Sequence, residues 1–199
     1  MNEYIIKRVS GAPDWSQVPT LEVSNILWLP DVGIRMNQQV CYDDTGIYVH
    51  QRCVEANIRA EYTGPLARVC EDSCMEFFFG IYEDNCRYVN IEVNPNGSIH
   101  MSLCVHRYNA IRMVSDPKAL LDLRTARTED GWELFYKIPL SFLQLLNPAF
   151  ALTSGRIIPA NCYKCGDLTV QPHYLTWNPV TTEVPDYHTP NDFGRMILE

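Results

Sequence analysis

Y-V-N-I-E-V-N-P-N-G-S-I-H-M-S-L-C-V, residues 88–105, consists of two alternating runs joined by a turn sequence. In the first run Val89, Ile91 and Val93 fall on one face and Asn90, Glu92 and Asn94 on the other. That two-residue period belongs to a half-buried strand. N-P-N-G between the runs supplies residues that accept turn dihedrals, so the pair reads as a β-hairpin. One face is expected to build a core. The other is a row of hydrogen-bonding groups, read either as an ordinary solvated face or as a platform for a neutral polyhydroxy ligand.

The same grammar extends through the chain. Runs at 36–42, 47–54, 74–82, 132–138 and 156–164 are rich in Val, Ile, Tyr and Phe. D-D-T-G (43–46), E-D-G (129–131) and T-S-G (153–155) punctuate them. This spacing predicts an all-β fold, a two-sheet antiparallel β-sandwich of jelly-roll or immunoglobulin-like type, as a single domain over 1–199. Helical signal is confined to Leu140–Pro148, with Ser141 as cap and Pro148 as stop, and a turn of helix over Asp116–Arg124. The proline-punctuated stretch 177–194 reads as a long loop, a place where function often resides.

Composition narrows the partners. The chain has 199 residues, 46% hydrophobic and 20% charged, with a formal net charge of -8. An acidic chain is not drawn to nucleic acid or to an anionic membrane, so neither is expected as partner. No run approaches the ~18 apolar residues of a membrane span, and M-N-E-Y-I-I-K-R-V lacks a signal-peptide core. A cytoplasmic location is the expectation. The eight cysteines are then read as reduced thiols, several of them buried as small hydrophobes. Cys162-Tyr163-Lys164-Cys165 and the Cys70/Cys74 pair have neither the spacing of a zinc ribbon nor the helix start of a redox motif, so no metal or cofactor is expected.

The acids need a closer look. Glu76 sits against Phe77, Phe78 and Phe79, where an unpaired carboxylate is costly. Glu76 and Glu92 on neighbouring strands can form the acid/base pair of a glycosidase, or take ligand hydroxyls instead. In the closing stretch His173, Tyr174, Trp177, Tyr187 and His188 are either core plugs or faces on which a sugar ring stacks.

Seven segments in order, D-D-T-G-I-Y-V (43–49), E-D-S-C-M-E-F-F-F (71–79), Y-V-N-I-E-V-N-P-N-G (88–97), G-W-E-L-F-Y-K-I-P (131–139), N-C-Y-K-C-G-D (161–167), H-Y-L-T-W-N-P (173–179) and P-D-Y-H-T-P-N-D-F-G (185–194), carry a family resemblance. From about residue 40 onward the chain resembles the carbohydrate-binding module family 9-like domains of the DOMON-like β-sandwich superfamily. The resemblance implies a saccharide-binding domain without catalytic residues. In that family two aromatics clamp the sugar and sheet residues take its hydroxyls. Glu76 matches the sheet carboxylate, and the polar position of the later strand falls near Tyr163, with Asn161 one pleat away. Tyr187 and His188 stand where one clamp aromatic belongs. R-V-C-E (68–71) has no aromatic where the other belongs. The family's arginine in the Y-V-N-I-E strand is absent, with Arg107 or Lys164 as its replacement. Trp177 is either a pocket wall or a core residue, and Glu92 completes the expected ligand set. No acidic cluster matches the family's structural calcium. Two other readings remain: an enzyme acting on carbohydrate through Glu76 and Glu92, and a protein-interaction sandwich. Oligomeric state is left open.

Overall fold

Both runs of the 88–105 hairpin are strands, and they belong to a far longer sheet. The computed structural model describes residues 1–83 and 85–199, and among these fourteen strands occur. β1 (Glu3–Arg8), β2 (Thr20–Val23), β3 (Asn25–Ile26), β4 (Arg35–Asp43) and β5 (Gly46–Val54) come first. β6 (Cys74–Gly80), β7 (Tyr88–Val93), β8 (Ile99–His106) and β9 (Asn109–Arg112) form the middle. β10 (Arg124–Arg127), β11 (Gly131–Pro139), the helix α1 (Leu140–Leu146), β12 (Ile157–Cys165), β13 (Tyr174–Thr176) and β14 (Gly194–Leu198) complete it.

The all-β class is as expected; the sheet architecture is not. One hydrogen-bonded path runs β10-β11-β5-β4-β1-β14-β12-β6-β7-β8-β9. Its pivot is β1, whose Glu3–Ile6 pair in parallel with Arg195–Leu198 while Lys7 and Arg8 pair in parallel with Cys41 and Tyr42. The result is a single mixed sheet curled on itself, where two separate antiparallel sheets were predicted. Val40, Val49 and Leu134 from one end share a core with Phe77, Ile91 and Met101 from the other. Curling lets one apolar face be buried against itself, which a flat sheet of this length cannot do.

β6 is buried on both faces, and this explains its unbroken apolar run. Phe77 and Phe79 enter the main core, whereas Phe78 enters a second cluster with Tyr88, Tyr163, Tyr187 and Phe193. Asp72, just ahead of β6, is fully buried and organises the segment before it. Its carboxylate accepts the backbone N–H of Glu61 and of Tyr62 (2.9 Å) and the Asn94 amide (2.8 Å), and pairs with Arg59.

The helix is capped by Pro139 without a side-chain hydrogen bond, so Ser141 is an exposed residue of the first turn and not the cap. Asn147 ends it with its N–H on Leu143 O, and Pro148 follows. Residues 116–124 form turns that lead into β10, not a helix. Among the described residues no helix is long and apolar enough to cross a membrane.

Candidate functional site

Alternation and register together put one set of side chains on the outer face of the β12-β6-β7-β8 region. Tyr163 stands opposite Glu76, Glu76 opposite Glu92, and Glu92 opposite His100. One row along, Asn161, Phe78, Asn90 and Ser102 follow each other. Over this face lies a cavity of about 400 Å³. Its floor includes Glu76, Asn90, Glu92, Ser102 and Cys165. Its walls are Tyr174 at the start of β13 and residues between strands: Trp28, the 66–70 segment, Arg107, Asp167 and the run from Pro185 to His188. Such a volume is ordinary for a small-molecule site.

The aromatic wall is tightly fixed. Tyr187 stacks on Tyr163 with centroids 4.1 Å apart, and its hydroxyl donates to Lys164 O at 3.1 Å. Trp28 leans on Tyr187 at 5.4 Å and meets Tyr174 edge-on at 5.2 Å. Its indole N–H donates to Thr182 O at 2.8 Å, leaving the ring half-buried at the cavity edge. Trp28 also has a backbone φ of 56°, the left-handed region that a bulky residue occupies only at a cost. His188 closes the far side, with Nδ1 accepting from the Tyr88 hydroxyl at 2.7 Å. Burial holds His188 down to about 4, so the ring is neutral, and its Nε2–H tautomer accepts at Nδ1.

The floor is electrostatically tense. Burial, with Glu92 beside it, pushes Glu76 well above the usual carboxylate range. Burial also raises Glu92 to about 7, although the Asn90 amide donates to it at 2.7 Å and Arg107 and Arg112 pull the other way. Asp167 is likewise raised by burial. Glu76 and Cys165 touch directly, with Sγ 3.0 Å from Oε1. A floor of amides and of carboxyl groups whose proton affinity burial raises can both donate and accept hydrogen bonds, as vicinal hydroxyls require.

The residues expected at the site divide into two groups. Glu76, Glu92, Arg107, Tyr187 and His188 line the cavity, with Tyr163 directly behind Tyr187. Asn161, Lys164 and Trp177 lie outside it. Asn161 is fully buried, donating to Asn178 O at 2.9 Å and accepting from the N–H of Asn178 and of Cys162. Lys164 points the opposite way, into the core. There its ammonium pairs with Glu55 at 3.1 Å and donates to His173 Nε2 at 2.7 Å. Burial works to strip its proton, but Glu55 together with Cys53 and Cys165 outweighs that and holds Lys164 above its ordinary range. Trp177 packs in the main core against Gly194, where an added Cβ would come within 2.6 Å of the ring. Arg107 reaches the rim, donating to Pro185 O at 3.2 Å.

Trp28, His100, Ser102, Arg112 and Asp167 were not singled out from the sequence, yet they line the same cavity. For His100 and Ser102 the alternation of 98–105 carried the signal, since both share the polar face of β8. For Trp28 nothing local did.

Residues 9–198 match the model of "Carbohydrate-binding family 9". Among solved structures, a protein of Bacteroides uniformis ATCC 8492 described as carbohydrate-binding superposes with a TM-score of 0.87 and 25% identity, covering 99% of each chain. A family 9 carbohydrate-binding module from Caldicellulosiruptor kristjanssonii, solved with glucose, gives a TM-score of 0.71 at 13% identity, covering 100% of this chain and 96% of its own. The cellotriose complex of a module of the same description and organism gives 0.72 at 13% identity, covering 100% and 94%. No curated protein matches.

Proposed function

The chain belongs to carbohydrate-binding family 9, and from that premise we propose that the cavity over β6, β7 and β8 holds the end of a small saccharide without transforming it. One observation carries the reading: a polar row of Glu76, Asn90, Glu92 and Ser102 faces a wall of Trp28, Tyr174 and Tyr187 across a cavity of about 400 Å³. A pyranose presents exactly two kinds of surface, a ring of hydroxyls and an apolar C–H face, and each meets its complement here. Trp28 does the work of the aromatic missing from 68–71, reaching the cavity from a distant part of the chain. Tyr187 and His188 form the facing side, and Arg107 with Arg112 takes hydroxyls at the rim. Asn161 and Tyr163 shape the site from behind, and Lys164 faces away from it.

Binding of a single sugar end buries little area against the cost of desolvating hydroxyls. A Kd of order 10⁻⁴ M, about −5.5 kcal/mol, is the expected scale. Isothermal calorimetry and tryptophan fluorescence, run over a panel of mono- and oligosaccharides that includes glucose and cellotriose, test this. Silence across the panel at millimolar concentration overturns the reading. The pairing of two raised carboxylates, Glu76 and Glu92, favours hydrolysis as the second reading. Reducing-end release that disappears in Glu76→Gln replaces binding with catalysis.

A further inference from the structure

Neither of the two cysteine-pair motifs works as a motif, yet each sends one thiol to the same place. Strand alternation directs Cys162 into the main core and Cys165 to the cavity face. Cys74 stands directly opposite Cys165 across the β6–β12 pair, and Glu76 lies two residues further along the same face. The two sulfurs and a Glu76 oxygen all lie within 4.8 Å of one another. We propose that Cys74, Cys165 and Glu76 form a binding site for a single thiophilic divalent cation, zinc first among them, at the floor of the cavity.

Five features argue for this. Donors around a tetrahedral zinc ion at 2.0–2.3 Å stand roughly 3.5–3.8 Å from each other, so the cluster is already close to the required span. The ligands are borne on paired strands, which hold them more rigidly than loops do. Glu76 is buried, and among the described residues no ion pair includes it. Lys164, on the strand that pairs with β6, faces the other side of β12 and is engaged by Glu55. Thiols as plain buried hydrophobes leave that carboxylate unexplained, because a buried acid beside a second one is costly. Cys165 also lines the cavity, so three protein ligands leave a fourth position open to water or to a ligand hydroxyl. The donor set, two sulfurs and one oxygen, suits zinc and disfavours calcium or magnesium. On binding, each thiol and, where it carries one, the Glu76 carboxyl releases a proton to solvent as the metal–ligand bond forms.

The test uses the full chain, freed of metal and kept in a phosphine reductant, with no saccharide present, so its outcome is independent of the saccharide reading. Zinc is titrated in competition with a chromophoric chelator, and cobalt(II) is added separately as a spectroscopic probe. One equivalent of zinc is expected, together with the thiolate-to-cobalt charge-transfer absorption and tetrahedral ligand-field bands of cobalt. Cys74→Ser and Cys165→Ser lose both signals, whereas Cys86→Ser, at an exposed position, keeps them. Glu76→Gln retains the shape of the site and weakens zinc binding, which covers the case in which a serine variant fails to fold by circular dichroism. Absence of zinc binding, or equal binding by the Cys74→Ser/Cys165→Ser double variant, overturns the proposal.

Discussion

Glu92 holds a proton more tightly folded than unfolded, and that sets the sign of its effect on stability. Its value of about 7 lies above the ordinary 4.5, so its contribution is complete below pH 4.5 and is lost as pH rises through 7. The gap corresponds to about 3 kcal/mol. His173 and His188 work oppositely: burial lowers both to about 4, so their contribution is present above the ordinary 6.5 and is lost as pH falls through 4. The parent's profile is therefore a partial cancellation. We predict that Glu92→Gln, which cannot titrate, becomes progressively more stable relative to the parent between pH 4.5 and 7, read by urea denaturation at a series of pH values. A difference that stays flat over that range disproves it. Trp28 offers a second prediction at this scale. Trp28→Ala removes one stacking face, worth about 1 kcal/mol, and should weaken saccharide binding roughly fivefold with little change in melting temperature. Unchanged affinity in calorimetry removes Trp28 from the site. The sequence around it, N-I-L-W-L-P, has no periodicity, and its partners Tyr174 and Tyr187 are about 150 residues away, so only the folded chain reveals it.

Strand alternation decides more of this molecule than any motif does. On β12 it sends Asn161, Tyr163 and Cys165 one way and Cys162 and Lys164 the other. Alternation alone separates the two neighbours: a β12 face that turns Tyr163 toward the ligand turns Lys164 away from it, against what the family resemblance implies for Lys164. The glutamate-to-lysine contact runs from Glu55, just past β5, to β12, and so ties together parts of the curled sheet that are four strands apart in its order. Deleting one partner of a buried pair leaves a lone charge, at a cost of about 3–5 kcal/mol. Lys164→Ala is accordingly predicted to lower stability by that amount in denaturant titration. Lys164→Met/Glu55→Gln should recover part of it, with saccharide affinity unchanged wherever the protein is folded. A loss of affinity without a loss of stability returns Lys164 to the site. Edge strands were the least legible elements. β9 and β10 are largely exposed, with no apolar face to set a period, and 116–124 gave a false helical signal in place of the turns preceding β10.

At the scale of the whole molecule, local pattern predicted strands and hairpins but not how distant ends meet. Two-residue alternation reports which face is apolar, and it says nothing about whether strands 190 residues apart run in parallel. The parallel β1–β14 and β1–β4 pairings therefore lay beyond a local reading, and with them the curl that replaces a two-sheet sandwich. Removal of 194–199 is predicted to abolish cooperative unfolding in circular dichroism, because it strips β14 from both β1 and β12; a sharp transition in the truncated chain refutes that. The seam at β1 also has a bearing on biosynthesis. Glu3–Ile6 find one set of partners only after Arg195–Leu198, about 190 residues later in the chain, have emerged from the ribosome. At about 5–20 residues per second, that is a wait of roughly 10 to 40 s. Through that interval β1 is an open template for other chains, with Tyr4 and Ile6 uncovered, and the hazard it presents depends on how fast translation runs.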